Sequence, residues 1–225
     1  MTQKLHGVAD LAEFRARLDQ LRLELDPPTQ AGAYLAYTDG ACLGNPDGPG
    51  GWAAIVEPSW ELFGHLSSTS NNRAEALGML AAIEWVPPGS SLLIRSDSEL
   101  TVNIMRGAYK ARANLDVWTE INGARTARRV HVTPEWLRGH AGHPGNERAD
   151  ALSVLAAKHG DVDAVDQVPR RRAARLPAEL VGLQPRNEKE ESFLRSVADQ
   201  LRAGRALTDK QRAWIDDIRA RRSRG

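Results

Sequence analysis

Four carboxylates, each set where an isolated acid would be out of place, carry the chemistry open to this sequence. Asp39 stands near the end of Tyr34 to Asn45 (YLAYTDGACLGN), whose apolar flanks predict a buried strand running into a glycine-rich turn. An ionised acid taken out of water is costly unless it is paired or holds a cation. Read alone, an Asp before Gly is a turn residue, but three later acids answer it. Glu75 shares a helical stripe with Met79, Ala82 and Val86 and so points at the sheet, although Asn72 three residues earlier also suits a capping-box acid. Asp97 ends the apolar run SLLIRS, at the carboxyl end of a strand where open α/β sheets place ligands; a helix-start acid is the plainer alternative. Asp150 falls on a stripe with Val154 and Ala157, against the alternative of a first-turn acid facing the helix dipole.

Each plain reading stands alone, but four acids on adjacent elements all aim at one end of the sheet. At about 5 Å separation and an effective dielectric near 20, each pair repels by about 3 kcal/mol. Such a cluster raises its own pKa values or recruits cations. All-oxygen ligation selects Mg²⁺, with Mn²⁺ as the alternative, over Zn²⁺. Two ions ~3.5 to 4 Å apart suit in-line hydrolysis of a phosphodiester.

The elements that must position these acids are legible in order. Residues 8–25 repeat apolar residues at three and four, a packing or capping helix stopped by Asp26, Pro27 and Pro28. Strands are expected over Ala33 to Cys42, Trp52 to Glu57 and Trp60 to Leu66, as an antiparallel meander. A helix over Asn71 to Val86, the strand Ser91 to Ser96, helices from Asp97 to Arg106 and Asn114 to Arg129, a strand Val130 to Leu137, a loop Gly139 to Gly145 and a helix Asn146 to His159 complete the body. The order predicts an α/β fold, a mixed sheet with helices on its faces. Domain boundaries are expected at 1–30 for an N-terminal helical extension, 31–160 for the catalytic body, 161–187 for a basic linker and 188–225 for a helical hairpin. In that hairpin Phe193, Val197 and Leu201 form one stripe, Trp214 and Ile218 the other, and Thr208 with Gln211 a capping box.

No apolar run approaches the ~18 residues of a membrane span and no signal pattern opens the chain, so a soluble cytoplasmic protein is expected. The single cysteine, Cys42, excludes a disulfide framework and a zinc site built on cysteine pairs. Net charge is +1 over 225 residues, but it is divided. Residues 1–167 hold 15 Lys and Arg against 21 Asp and Glu, and residues 168–225 hold 15 against 8. An acidic body with a basic tail points to a polyanionic partner.

The strings YTDGACLGNPDGPGGW, TSNNRAEALGML, IRSDSEL and GHAGHPGNERADALS resemble, in order and spacing, the four signature segments of type 1 ribonuclease H. The resemblance spans about Tyr34 to Ala157. It implies the ribonuclease H fold with a five-stranded mixed sheet, and endonucleolytic cleavage of the RNA strand of RNA/DNA hybrids by two metal ions, leaving 3′-hydroxyl and 5′-phosphate ends. Carried over by position, Asp39, Glu75, Asp97 and Asp150 are the metal-binding catalytic acids. His140, in the GHAGHPGN loop, matches the family histidine that assists water attack or product departure; a loop histidine with no role, or half of a zinc site with His143, is the alternative. Gly40, Cys42, Asn45, Asn72 and Glu99 match positions that read the hybrid, and Ser70 and Asn114 match positions that grip a DNA phosphate. A transposase or resolvase of the same superfamily, or a non-catalytic hybrid-binding module, is the alternative. The complete set of acids and the histidine loop weigh against both.

Two departures matter. The basic, Trp-rich protrusion of many bacterial members is replaced by the short RGAYKARANLDVW, as in handle-less members, and Glu99 stands where glutamine is common. Binding a duplex with one charge per ~1.7 Å then needs help. Arg170, Arg171, Arg172, Arg175 and the 219–224 arginine cluster are expected to supply it; a solvated linker and frayed helix is the alternative reading. The hairpin could equally dock a protein. A monomer is expected.

Overall fold

The computed structural model describes residues 6–167 and 206–222, with residues 180, 190, 193, 194, 196, 197, 200 and 201 between them. Five strands form one sheet in the order β3-β2-β1-β4-β5. They are β1 (Ala33–Cys42), β2 (Gly48–Val56), β3 (Trp60–Thr69), β4 (Ser91–Ser96) and β5 (His131–Trp136). β1 pairs antiparallel with β2, and β2 with β3; β4 runs parallel to both β1 and β5. The expected five-stranded mixed sheet of the ribonuclease H fold is thus present. β2 and β3 run further than their apolar cores suggest. Gly48, Gly50 and Gly51 join the ladder because close neighbours leave no room for side chains: a methyl on Gly51 would lie 2.2 Å from the Ser153 carbonyl oxygen.

The helices are α1 (His6–Glu24), α2 (Asn71–Trp85), α3 (Glu99–Met105), α4 (Leu115–Arg128) and α5 (Pro144–Gln167), the last kinked at Gly160, whose φ of 79° no helix tolerates. Alternation along the strands divides the core. Trp52, Ala54 and Val56 face α1, α2 and α4, whereas Tyr37, Ala53 and Ile55 face α5 through Ala149, Leu152 and Ala156. Phe14, Leu18 and Leu21 of α1 belong to the first of these layers, with Phe14 edge-on to Trp52 at 5.0 Å between ring centroids.

Residues 1–169 and 170–225 form separate compact units. The second contains α6 (Asp209–Arg222) and its own cluster of Leu180, Val197 and Ile215, with Phe193 stacked on Trp214. Its capping box is formed: Thr208 N–H donates to Gln211 Oε1 at 2.9 Å and Gln211 N–H to Thr208 Oγ1 at 3.3 Å. Arg170, Arg171, Arg172 and Arg175 lie outside the described residues, as does much of the first hairpin helix.

Candidate active site

Parallel pairing puts two acids at one level. Tyr37 is in register with Arg95, so Asp39 and Asp97 lie two residues further along neighbouring strands, at the carboxyl end of the parallel pair. Asp39 shares the face of Tyr37 and turns toward α5, where the Ser153 hydroxyl donates a short hydrogen bond to its Oδ2. The same hydroxyl lies 3.0 Å from the Asp150 carbonyl oxygen. Asp150 is half-buried one turn before Ser153 and adds repulsion to Asp39.

Glu75 comes from the other face, and Gly40 makes this approach possible. A methyl at Gly40 would lie 2.1 Å from the Glu75 backbone nitrogen, so only glycine lets α2 settle so close to β1. The Thr101 hydroxyl reaches Glu75 Oε2 at 3.4 Å. α2 is capped by Ser70, whose side chain makes no capping bond, and Glu75 is five residues on. The capping-box alternative for Glu75 therefore falls.

Asp97 follows β4 directly and is held from three sides. Asn146 Nδ2 donates to its Oδ2 at 3.1 Å, Trp136 Nε1 donates to its carbonyl at 3.0 Å, and Gly139 packs so that a methyl would lie 2.6 Å from Oδ2. Asn146 is buried, and its Oδ1 has no hydrogen-bond partner.

Electrostatics show what this arrangement costs. Asp39 is only 8 % exposed, and its pKa is pushed up to about 7 by burial first. The Ser153 hydrogen bond opposes the rise, and Asp97 and Asp150 add to it. Glu75 is also pushed up to about 7, again by burial first, with Ser98 and Thr101 opposing and Asp39 and Asp97 adding repulsion. Hydroxyls rather than basic side chains restrain both acids. Among the described residues, no three Asp, Glu, His or Cys side chains are drawn tightly enough to hold an ion as they stand. The acids form an open, mutually repelling set of hard oxygen donors, which fits a small divalent cation better than any softer metal.

The remaining sequence-derived residues surround this set. His140 is exposed, with a left-handed backbone (φ 52°), in the loop that Gly139 fastens over Asp97. Asn45 is exposed and accepts the Asn71 N–H at 3.1 Å. The Cys42 thiol is half-buried and turned inward, 3.3 Å from the Thr69 carbonyl oxygen. Asn72 and Asn114 line a cleft of about 540 Å³ whose floor is Leu100, Ile104 and Trp118, and Thr101 joins this cleft to Glu75. Asn114 takes a left-handed conformation as the N-cap of α4, and Glu99 is exposed at the start of α3. Asn146, Ser153 and Thr101 escaped the sequence reading. Their signal is helical spacing: Asn146 lies four residues before Asp150 and Ser153 three after it.

Residues 31–158 match the family model for RNase H. The ribonuclease H of Alcanivorax borkumensis is 37% identical over 135 residues, covering 53% of this chain and 87% of that protein. That of Jannaschia sp. is 39% identical over 140 residues, with 53% and 87% covered. The crystal structure of LC11-RNase H1 in complex with an RNA/DNA hybrid is similar at 25% identity and a TM-score of 0.48, covering 55% of this chain and 96% of that one.

Proposed function

The chain belongs to the ribonuclease H family and is an RNA-hydrolysing enzyme, and we propose that it is an endonuclease for the RNA strand of RNA/DNA hybrids, dependent on divalent metal and leaving 3′-hydroxyl and 5′-phosphate ends. The observation that carries this reading is the pairing of buried Asp39 and half-buried Glu75 at one end of the sheet, each pushed up to about 7, with Asp97 repelling both and Asp150 repelling Asp39. A module that only bound nucleic acid would gain nothing from clustered negative charge at its binding face.

Asp39, Glu75, Asp97 and Asp150 would hold Mg²⁺, or Mn²⁺ in its place. When bound, two such ions supply the positive charge and Lewis acidity that phosphodiester hydrolysis requires. The chain's own residues do the rest. Ser153 fixes the Asp39 carboxylate, Ser98 with Thr101 that of Glu75, and Asn146 that of Asp97. His140, exposed on its loop, is placed to exchange protons with solvent during water attack or product departure. Gly40, Cys42, Asn45, Asn72 and Glu99 read the 2′-hydroxyl side of the hybrid, through backbone and short polar groups suited to a shallow minor groove. Ser70 and Asn114 grip a phosphate of the DNA strand. Residues 31–160 are the catalytic body, and the arginines of 170–175 and 219–224 add cationic reach toward the duplex.

A labelled RNA/DNA hybrid and a duplex DNA, each with Mg²⁺, Mn²⁺ or EDTA, test the proposal. Only the hybrid should be cut, and only with metal. Asp97→Asn should lower cleavage at least about a thousandfold while sparing hybrid binding. Cutting in EDTA, or of duplex DNA alone, would overturn the reading.

A further inference from the structure

Arg73, two residues before Glu75, is 6 % exposed and is clamped between two carboxylates from distant parts of the chain. Its Nη1 and Nη2 donate to Asp116 of α4 at 2.8 and 2.7 Å. On the other side Nη2 donates to Asp10 Oδ1 at 2.9 Å, and Nε makes a shorter bond to Asp10 Oδ2. Asp10 is 1 % exposed, and its Oδ2 also receives the Thr69 hydroxyl at 3.4 Å, next to Ser70. It sits on α1, outside residues 31–158 that match the family.

We infer that Asp10 is a positioning residue for substrate binding, acting through Arg73 to hold the start of α2 against the start of α4. This rests on the proposed hydrolysis of hybrids. The doubly bidentate clamp joins the turns that carry Ser70 and Asn72 to the turn that carries Asn114, and these are the residues assigned to the two strands of the duplex. A guanidinium held by two planar carboxylates keeps both distance and orientation, which a single pair would not. α1 is anchored well enough to serve as a fixed point. Phe14 and Leu18 are fully buried, Arg17 Nε donates to the Phe63 carbonyl at 3.1 Å, and Glu13 accepts the Ser67 N–H at 2.8 Å. Glu75 has its own hydroxyl neighbours in Ser98 and Thr101, so loss of Asp10 should loosen substrate contacts more than the acid cluster.

The test compares Asp10→Asn and Asp10→Glu with the unsubstituted chain, each at 20 °C below its own melting midpoint, with Asp19→Asn as a control on the same helix. Asp10→Asn should raise KM for the hybrid roughly tenfold, below the ~100-fold that a 1 Å misplacement can cause. kcat should stay within about twofold, and amide hydrogen exchange should quicken in residues 71–76 and 114–118. Asp10→Glu should recover part of both, and it carries the test if Asp10→Asn does not fold. A lower midpoint with KM and exchange in those segments unchanged would overturn the inference and leave Asp10 a purely structural residue. Unaltered exchange in those segments overturns it whatever KM does. If the unsubstituted chain cuts no hybrid while exchange still responds, the hydrolysis reading fails and the coupling between α1 and the two helix starts stands.

Discussion

Asp39→Asn should make the metal-free protein more stable at pH 8 while abolishing its activity. Burial and the neighbouring Asp97 and Asp150 raise Asp39 from 3.8 to about 7, roughly three units or about 4 kcal/mol. For an acid with a raised folded pKa, the folded state binds the proton more tightly. The penalty is therefore absent below pH ~4, grows as pH rises toward 7, and is fully present above it. Asparagine keeps an oxygen for the Ser153 hydroxyl but buries an amide N–H, returning roughly 1 to 3 kcal/mol of the gain. The expected net stabilisation at pH 8 is about 1 to 3 kcal/mol, and it should shrink by about 2 to 3 kcal/mol on going to pH 5, where Asp39 is already protonated in the fold. Removing this charge also relieves Glu75, which acts in the same direction. Urea unfolding in EDTA at both pH values measures the difference, as midpoint shifts of the order of 1 M. Excess Mg²⁺ at pH 8 should cancel most or all of this difference, since ligand at 100 times its Kd stabilises the unsubstituted protein by about 2.7 kcal/mol. A variant that is destabilised equally at both pH values would refute the reasoning, because Asp39 would then be a satisfied structural acid.

Three more outcomes follow from the same geometry. Asn146→Ala removes the donor to Asp97 Oδ2 and should weaken Mg²⁺ binding, read by calorimetry, by about 10- to 100-fold. Gly40→Ala places a methyl 2.1 Å from the Glu75 nitrogen, which α2 can relieve only by moving away from β1. It should lower stability by more than about 3 kcal/mol in urea titration and lose cleavage in whatever fraction folds. Deleting residues 168–225 should raise KM for the hybrid and flatten its dependence on salt while leaving kcat largely alone; an unchanged KM would remove the basic tail from the binding surface.

Much of this was visible along the chain because its causes are local. Apolar runs and their breakers marked five strands and the helices between them to within a few residues. The largest shortfall was at the end of α5, expected at His159, which runs on past the Gly160 kink to Gln167 and takes up residues expected in the linker; among the strands it was the start of β2, where glycines carry no apolar signal and enter the ladder only because neighbours crowd them. The four acids could be singled out because a charge inside an apolar stripe is conspicuous in one dimension. Asp10 went unremarked: it stands in line with Phe14 and Leu18 at four-residue spacing, but the reading of residues 8–25 as a packing or capping helix did not single it out.

The sequence by itself determined the element order and the residue types at the end of the sheet, because periodicity and turn chemistry act between near neighbours. Only the tertiary structure decided that Asp39 turns to α5 and Glu75 arrives from the opposite face past a bare Gly40. It alone decided that Ser153, Asn146 and Thr101 are the groups holding the acids, and that Arg73 is shared by α1 and α4. Those facts depend on parallel register and on the close approach of segments up to 114 residues apart, and no local pattern encodes distance between surfaces that meet only once the core has closed.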